Sequence, residues 1–553
     1  MSGQPYDTDF VVIGSGFGGS VSALRLAEQG YRVVVLEQGR HWPPHELPHD
    51  NWQWRRWLWR PGLGWRGFFA LRLLRHVVVL HGNAVGGGSI TYANTLLVPP
   101  DDVWRHGSWA GLDDWARVMP AHYARASQML GVTTNRRLAA ADERLGAMAR
   151  LAGVGDSWQP TRVAVFFGDD HDLSGDRDYP DPYFGGEGPA RRSCTGCGGC
   201  MVGCREGAKN TLDRNYLHLA QRRGATLYAE TEVVRIVPLP RPDGGPAPDG
   251  RHGYAVHALE HRDGRRRARV WRARAVVCAA GSLGTQALLM AARQRGDLPH
   301  LSPTLGQHVR TNAESLIGIR WPGCAEDLSR GVAIGSKIQL DPHTTIEATR
   351  YPAGSDAMAL LSTVMAPGDG RLAWATALAR GLLTAPRATW RLLRPKGWAR
   401  ESMILLCMQT LDGTLTLRWQ RPWWAPWRHV LRSHGAPLPH HIPAATAFAR
   451  AAAAATGGVP MASLPQVLFH IPMTAHCLGG AVMATDATRG ACDAWQRAFG
   501  QRNLWLVDGS VIGANLGVNP SLTITALAER AMTAVPPPAL ATWDGVGTPI
   551  AAH

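Results

Sequence analysis

Lysine is scarce in this sequence, and several recognisable segments are absent from it. Only Lys209, Lys337 and Lys396 are lysines among 58 basic residues, so arginine carries nearly all of the net charge of +15. No apolar run reaches the ~18 residues that a membrane-spanning helix requires. The first residues, MSGQPYDTDF, lack the basic and apolar regions of a secretion signal. These absences predict a cytoplasmic protein without a transmembrane helix.

Nucleic-acid motifs and internal repeats are also absent. A basic balance is compatible with nucleic acid or with an anionic membrane surface. However, the chain contains neither a zinc-finger spacing nor the aromatic strand signature of RNA-binding domains. We therefore predict no nucleic-acid partner.

The N-terminal segment has the order expected of a dinucleotide-binding unit. The apolar run Phe10–Ile13 predicts a strand, the G-x-G-x-x-G after it predicts a turn into a helix, and Arg32–Leu36 predicts a second strand that ends at an acid. Such glycines let the backbone approach a pyrophosphate at the helix N-terminus, and the acid accepts hydrogen bonds from the adenosine ribose. The pattern leaves NAD and FAD both open. The predicted cofactor contacts are Gly14, Gly16, Phe17, Gly18, Gly19 and Glu37.

Two more glycine-containing segments suit a flat ligand. The loop Gly86-Gly87-Gly88-Ser89 would let backbone lie against such a ligand, although a plain turn explains it equally. Ala279-Ala280-Gly281-Ser282 follows the apolar run Ala275–Cys278, and it has the same two interpretations.

The C-terminal part contains a strand and a helix with polar residues at their junctions. Leu504–Val507 predicts a strand followed by Asp508, which a simple turn would explain. Asn519-Pro520 precedes the predicted helix Ser521–Met532, and asparagine and proline are favoured at the N-cap and the first helical position. The residues alone therefore require no function for this pair.

Six segments together resemble the glucose–methanol–choline (GMC) oxidoreductase family, in particular its cholesterol-oxidase-like branch. They occur in the family's order: the N-terminal fingerprint, Asn83–Leu97, Cys204–Val233, Val276–Leu289, Thr474–Gly480 and Leu504–Met532. The resemblance implies an α/β fold in which a Rossmann-type FAD-binding domain is interleaved with an α+β substrate-binding domain on an antiparallel or mixed sheet. We expect residues 1–100, 190–310 and 470–545 to form the FAD-binding domain, and 101–189 and 311–469 to form the substrate-binding cap.

The resemblance also implies roles for individual residues. His476 matches the family's active-site histidine, although Cys477 stands where the family usually has proline. It would accept the hydroxyl proton while Asn519 orients the oxygen and the flavin takes the hydride. The helix after Asn519 would direct its N-terminus at the flavin. Further FAD contacts are implied for Gly86, Gly87, Gly88, Ser89, Asn94, Val233, Ala280, Gly281, Asp508, Asn519 and Pro520.

The implied activity is oxidation of a bulky apolar secondary alcohol, with a 3β-hydroxysteroid such as cholesterol as the first expectation. A Δ5-to-Δ4 isomerisation would also need a carboxylate that carries a proton. Glu347, in TTIEATRYPAG, resembles that carboxylate, while a solvent-facing strand glutamate is the other interpretation. Glu314, in RTNAES, is a rival acid. A flavin-binding protein without turnover is the non-enzymatic alternative, and the presence of both His476 and Asn519 argues against it.

Four closely spaced cysteines bear on the electron acceptor. Their spacing is that of the bacterial ferredoxin run, except that Arg205 replaces the usual proline, and it differs from structural zinc spacing. A three-iron or four-iron cluster here would make the protein a dehydrogenase of another lipid or terpenoid alcohol that passes electrons to a quinone or carrier. Without a cluster, dioxygen is the expected acceptor. The four candidate ligands are Cys194, Cys197, Cys200 and Cys204.

Three stretches free of acidic residues mix tryptophan with arginine: Asn51–Leu80, Leu372–Arg400 and Arg418–Leu431. This combination suits the interface of an anionic membrane, where the ring lies at headgroup depth and the cation meets lipid phosphate. We expect peripheral contact with the inner face of the membrane. The alternative is a set of pocket-capping helices whose tryptophans face the core.

Overall fold

A computed structural model describes residues 6–169, 171–172, 174–262, 264–366 and 371–541. The last four residues of the predicted FAD-binding segment 470–545 and the first five of segment 1–100 lie outside the described residues. Two seven-stranded sheets dominate the described part of the chain.

The first sheet contains the parallel strands that the N-terminal pattern predicts. Its parallel part has the order Thr226–Tyr228, Val33–Leu36, Thr8–Ile13, Arg265–Cys278 and Leu504–Leu506. These strands are nearly continuous apolar runs because helices cover both faces of a parallel sheet. The predicted strands at residues 10–13, 32–36, 275–278 and 504–507 are confirmed. Their ends differ from the prediction by one or two residues, except that the third strand is longer and spans Arg265–Cys278.

The strand Arg265–Cys278 serves two parts of this sheet. Its C-terminal end pairs with Thr8–Ile13, whereas its earlier residues form an antiparallel meander with Tyr254–Arg262, which in turn pairs with Thr231–Pro238. Residues 239–253, which are rich in proline and glycine, connect two of these strands without a helix or strand of their own.

Helices pack closely around the parallel strands. Phe17–Glu28 lies against Ser521–Thr533 and Tyr216–Arg222, and Ser521–Thr533 also contacts Trp115–Met129. Gly281–Arg295 starts directly after the strand that ends at Cys278. A Cβ added at Gly18 would lie 1.6 Å from the Val507 carbonyl oxygen, so the first helix can approach the sheet only with glycine at this position.

The second sheet is antiparallel throughout. Its order is Ser362–Val364, Val459–Ser463, Ser315–Arg320, Ser402–Gln409, Thr344–Thr349, Ile334–Asp341 and Gln159–Pro160. Helices Pro443–Thr456 and Ala140–Leu151 share a buried apolar cluster with it, which includes Ile319, Leu405 and Phe448.

Smaller elements complete the fold. The remaining helices are Trp54–Trp57, Arg371–Thr384, Pro386–Leu393, Trp398–Glu401 and Leu464–Phe469. The remaining strands are Trp59–Arg60, Trp65–Arg66, Phe69–Leu73, Val78–Gly82, Thr133–Thr134, Arg162–Val163, Asp178–Tyr179, Arg191–Arg192, Thr416–Gln420, Val430–His434 and Met473–Thr474. Within the described ranges, no helix has both the length and the apolar character needed to cross a bilayer.

Next to strand Ser315–Arg320 of the second sheet, three chain segments lie side by side. Met473–Thr474 pairs with Val78–Val79, and Arg310 and Leu478 exchange two backbone hydrogen bonds of 2.7 and 2.9 Å. Thr474 Oγ1 donates to the Thr311 carbonyl oxygen at 3.1 Å. This junction holds the residues that the sequence singles out for catalysis.

Candidate active site

The two glycine loops of the N-terminal region face each other. Gly14 has φ +95°, and a Cβ there would lie 2.3 Å from the Ala279 carbonyl oxygen, while one at Gly19 would lie 2.0 Å from the Gly14 carbonyl oxygen. Backbone packing therefore requires both glycines. By contrast, a Cβ added at Gly16 would lie 4.0 Å from its nearest described atom, the Gly87 Cα. Gly87 itself has φ +52°. A Cβ added at Gly87 would lie 2.6 Å from the Gly16 Cα, so the two loops pack closely on each other. Contact of the second loop with a flat ligand stays a prediction.

Glu37 ends the second parallel strand and connects these loops. One carboxylate oxygen accepts hydrogen bonds from the Ser15 backbone N–H at 3.0 Å and the Ser15 hydroxyl at 2.8 Å, and the other accepts from the Gly39 N–H at 2.8 Å. The same hydroxyl accepts the Gly86 N–H at 3.0 Å. Burial raises the pKa of Glu37. The position suits the predicted ribose contact, which stays a prediction.

Unsatisfied polar atoms and open space test whether a flat cofactor fits beside these loops. Asn94 is fully buried with φ 60°, and neither its Oδ1 nor its Nδ2 has a hydrogen-bond partner among the described residues. A buried amide left in this way costs ~1–3 kcal/mol, which a ligand would relieve. Gly281 has φ +75°, and a Cβ there would find no described atom within 4 Å. Both features fit a bound FAD.

The other predicted cofactor residues have ordinary local contacts. Asp508 accepts the Thr285 hydroxyl at 2.6 Å and the Ser510 N–H at 2.8 Å, and burial raises its pKa. Val233 is half-buried at a bulge of the meander. Ala280 is the N-cap of helix Gly281–Arg295, and the Ser89 hydroxyl donates to the Gly86 carbonyl oxygen at 2.7 Å. Contacts of these residues with FAD stay predictions.

Asn519 does not cap the C-terminal helix. Pro520 is the N-cap of helix Ser521–Thr533, so the expectation that asparagine caps it and proline occupies its first position is wrong by one residue. Asn519 is 7% exposed, and its Nδ2 donates to Glu347 Oε2 at 3.2 Å. Its Oδ1 has no partner in the part of the chain described. The amide is therefore available to a ligand.

Glu347 is buried in the middle of the second sheet. Strand Thr344–Thr349 is buried along its whole length, and the interpretation of Glu347 as a solvent-facing strand residue is wrong. Burial raises the pKa of Glu347 from 4.5 to about 7, while the Asn519 hydrogen bond and the nearby His476 and Lys337 lower it and Glu314 raises it. Its Oε1 has no described hydrogen-bond partner. Glu347 thus lies at the junction with both predicted catalytic residues.

His476 contacts a second buried carboxylate. Its Nδ1 touches Glu314 Oε1, and the His476 side chain is 11% exposed. Glu314 Oε2 accepts the Ala475 N–H at 2.8 Å, so Glu314 holds both the ring and the backbone next to it. The backbone N–H of His476 donates to the Thr474 hydroxyl at 2.8 Å.

Asn312 joins the segments of the two predicted catalytic residues, and no motif in the sequence indicates it. Its Oδ1 accepts the N–H groups of Leu516 and Gly517, each at 2.9 Å, and its Nδ2 donates to the Val518 carbonyl oxygen at 2.9 Å. The same Nδ2 lies 3.4 Å from His476 Nδ1. Asn312 therefore fixes the segment before Asn519 relative to His476. No spacing rule indicates such a residue. Asn312 has φ 58°, and asparagine is one of the few residue types that adopt this left-handed conformation readily.

Comparisons with known proteins identify the family of the chain. Models described as GMC oxidoreductase match residues 190–309 and 412–528, and a NAD(P)-binding Rossmann-like domain model matches residues 12–43. A cholesterol oxidase of Acinetobacter baumannii is 50% identical over 97% of this chain and 96% of its own length. A cholesterol oxidase of Mycobacterium tuberculosis strain H37Rv is 43% identical over 96% of this chain and 91% of its own.

The chain belongs to the GMC oxidoreductase family. It is accordingly an FAD-dependent oxidoreductase, which excludes the non-enzymatic alternative.

Two solved structures share the fold of this chain at low sequence identity. Pyridoxine 4-oxidase from Mesorbium loti has a TM-score of 0.60 at 14% identity, covering 95% of this chain and 99% of its own. A fungal aryl-alcohol oxidase has a TM-score of 0.56 at 15% identity, covering 96% and 99%. Both support the predicted fold class, a Rossmann-type sheet interleaved with a second sheet, which here is antiparallel.

The four clustered cysteines line one small cavity, together with Lys209. The Lys209 ammonium is buried and donates to the carbonyl oxygens of Ile90, Tyr92 and Cys200 at 2.9, 2.9 and 2.7 Å, which links the cysteine segment to the second glycine loop. Burial raises the pKa values of the thiols of Cys194 and Cys200. No group of three or more His, Cys, Asp or Glu side chains in the described ranges is arranged to hold a metal ion. The family comparisons thus support FAD but give no support to the iron–sulfur prediction.

Proposed function

We propose that this protein oxidises the 3β-hydroxyl group of a sterol to the ketone with FAD as its cofactor. The observation that carries this proposal is the 50% identity, over 97% of the chain, to a protein named cholesterol oxidase. The junction of His476, Asn519 and Glu347 supplies the groups that such a reaction needs.

Each residue of the junction has a distinct part in this proposal. FAD, when bound, supplies the acceptor for the hydride that leaves the carbinol carbon. His476 Nε2 accepts the hydroxyl proton, because Nδ1 faces Glu314. The Asn519 carboxamide, whose Oδ1 lacks a partner among described residues, orients the substrate oxygen. Asn94 and Gly281 would lie against the cofactor, together with the two glycine loops.

We further infer that Glu347, rather than Glu314, carries out a Δ5-to-Δ4 isomerisation. A carboxylate can remove a proton from C4 of the Δ5-3-ketone and return it to C6, with no net change in protons. With a pKa of about 7, Glu347 can exist in both forms near neutral pH. Glu314 contacts His476 Nδ1 and accepts the Ala475 N–H, so we assign it to the histidine rather than to this proton transfer.

The segments that build each sheet support the proposed domain assignment. The strands of the first sheet all lie within 8–36, 226–278 and 504–506, inside the proposed FAD-binding segments 1–100, 190–310 and 470–545. The second sheet uses 159–160 and 315–463. Helix Trp115–Met129 packs on helix Ser521–Thr533, so we propose that the cap begins after Met129 rather than at residue 101.

We propose dioxygen as the electron acceptor. This choice rests on the relatives named oxidases. The cluster-linked dehydrogenase remains the alternative: the four thiols line one cavity, but their arrangement in the described ranges is not one that holds a metal ion.

Anaerobic addition of cholesterol to the purified flavoprotein should bleach the oxidised flavin band and produce the 3-ketone. Admission of dioxygen should restore the band and yield hydrogen peroxide in equal amount. The 3α-epimer is the matched control and should leave the band unchanged. Failure of every 3β-hydroxysteroid to bleach the flavin would overturn the substrate assignment. Several irons per chain with reoxidation only by a quinone would favour the cluster-linked alternative.

We also propose that the loop between strands Thr416–Gln420 and Val430–His434 contacts an anionic lipid surface. Trp423 is 85% exposed and Trp427 is 79% exposed, and Arg421 and Arg428 flank them on the surface. The other two tryptophan–arginine stretches are mixed: Trp57 and Trp398 are buried, as the core-facing interpretation expects. Exposed tryptophan beside arginine is the combination that suits headgroup depth.

Replacing Arg421 and Arg428 together by glutamine should weaken binding to phosphatidylglycerol-containing vesicles about 30-fold. Each cation contributes ~1 kcal/mol near an anionic surface, and binding should fall similarly when salt is raised. Co-sedimentation measures the partition. The control double variant, Arg150→Gln with Arg222→Gln, removes two exposed cations from helices outside this loop. It should change the vesicle partition little. Equal loss in both double variants would point to net charge instead of this loop.

A further inference from the structure

A tight turn at Asn312 and Ala313 places Glu314 next to His476. Asn312 and Ala313, with φ values of 58° and 45°, are two consecutive non-glycine residues in the left-handed region. Side chains other than glycine rarely adopt this conformation, and it persists where surrounding contacts impose it. Here the Asn312 side chain binds the backbone of residues 516–518, and the Asn312 N–H donates to Asn515 Oδ1 at 3.0 Å.

The carboxylate at the end of this turn has no contact with bulk water. Glu314 is 1% exposed, and strand Ser315–Arg320 of the second sheet starts at the next residue. One of its oxygens accepts the Ala475 N–H at 2.8 Å and the other touches His476 Nδ1. A buried carboxylate needs such partners, because an unpaired charge in the interior is costly. Among the described residues, the His476 ring is the side chain that contacts the Glu314 carboxylate.

This contact decides which nitrogen of the imidazole carries a proton. A carboxylate oxygen can only accept, so the proton lies on Nδ1, and Nε2 keeps its lone pair. Asn312 Nδ2 has two N–H groups, and one of them donates to the Val518 carbonyl oxygen at 2.9 Å. The nitrogen lies 3.4 Å from His476 Nδ1, which is farther than the Glu314 oxygen, so the carboxylate is the stronger partner of Nδ1. Nε2 is then the atom that can accept a proton from a bound alcohol.

We propose that Glu314 is the positioning residue for His476: it fixes the Nδ1–H tautomer and stabilises the imidazolium that forms on proton transfer. The inference rests on the proposed role of His476 as the base. During the transfer the hydroxyl O–H bond breaks and an Nε2–H bond forms, and the proton moves no further than the ring. A carboxylate beside the distal nitrogen stabilises the charged ring in this way in other acid–base sites.

Glu314→Gln should lower the turnover number about 10²-fold and change KM by less than about threefold, because the effect falls on proton transfer and not on substrate binding. The amide removes the negative charge while keeping nearly the same shape. Glu143→Gln, at an exposed position on helix Ala140–Leu151, is the matched control and should retain full activity. Flavin content and melting temperature are measured on both proteins.

The tautomer itself provides a readout that a merely structural role would not change. In ¹⁵N-histidine-labelled holoenzyme, the His476 signals, assigned by their loss in His476→Gln, should show a protonated Nδ1 and an unprotonated Nε2. In Glu314→Gln they should shift toward a mixture of tautomers. A wild-type ring protonated on Nε2 alone would overturn the proposal, even if Glu314→Gln does not fold. So would a Glu314→Gln turnover number within threefold of wild type.

These results are separable from the substrate assignment. If sterols do not reduce the flavin, the proposed function fails, yet the tautomer measurement still tests Glu314. If sterols do reduce it and the tautomer is unaffected by Glu314→Gln, only the positioning role fails.

Discussion

Replacing His476 by glutamine should slow sterol oxidation about 10³-fold, within the 10²- to 10⁴-fold range that a general base contributes. Glutamine can occupy the space of the ring but cannot accept the hydroxyl proton. KM should change little, because the lost interaction develops only as the proton moves. The rate of flavin reduction after rapid anaerobic mixing with cholesterol measures this step without interference from reoxidation.

The chain offers a closely matched control for this substitution. His261, in the antiparallel meander of the first sheet, also faces a glutamate, with its Nε2 3.4 Å from Glu232. His261→Gln therefore removes a histidine–glutamate pair outside the junction and should leave the reduction rate unchanged. A His476→Gln enzyme that reduces its flavin within about tenfold of the wild-type rate would contradict the assignment of the base.

The strands and turns of the first sheet could be predicted from the sequence because short local patterns determine them. Buried parallel strands are apolar runs, and the glycines between strand and helix are fixed by contacts such as that of Gly18 with Val507. The ends were less predictable. Thr8 begins the first strand although it is polar, since its hydroxyl is satisfied by the Arg32 carbonyl oxygen at 2.7 Å.

The second sheet and the junction depend on contacts that no local pattern encodes. Strand Thr344–Thr349 has the sequence TTIEAT, which reads as half-exposed, yet all six residues are buried. The sequence around Asn519 is typical of an N-cap, whereas in the structure the Asn519 side chain donates to Glu347 on the second sheet. Glu314 and Ala475 meet across 161 positions of the chain, so periodicity could suggest neither their contact nor the role of Asn312.

Glu347→Gln should abolish isomerisation while oxidation continues, so that the Δ5-3-ketone accumulates. Glutamine keeps the size of the side chain but cannot carry a proton, and we expect the isomerisation rate to fall by about 10³-fold or more. Chromatography of the steroid products distinguishes the Δ5- from the Δ4-ketone. Supplying the Δ5-3-ketone directly tests the second step independently of the first.

The same substitution should change how stability depends on pH. Burial raises the pKa of Glu347 from 4.5 to about 7. Below about pH 4.5 the carboxyl is protonated in the folded and unfolded states, so it has no effect on stability. Between pH 4.5 and about 7 only the unfolded state ionises, so the free energy of unfolding falls as pH rises, by ~3 kcal/mol in total. Glutamine lacks this penalty, and the melting temperature of Glu347→Gln relative to wild type should be higher at pH 8 than at pH 5.

Two comparisons make this result specific to Glu347. Glu143→Gln should show neither the accumulation of Δ5-ketone nor the pH-dependent gain in melting temperature, because Glu143 is exposed to solvent. Glu314→Gln should slow oxidation but still convert added Δ5-3-ketone. If Glu314→Gln blocked isomerisation and Glu347→Gln did not, the roles of the two carboxylates would be reversed. The unpaired Oε1 of Glu347 would then require a different explanation.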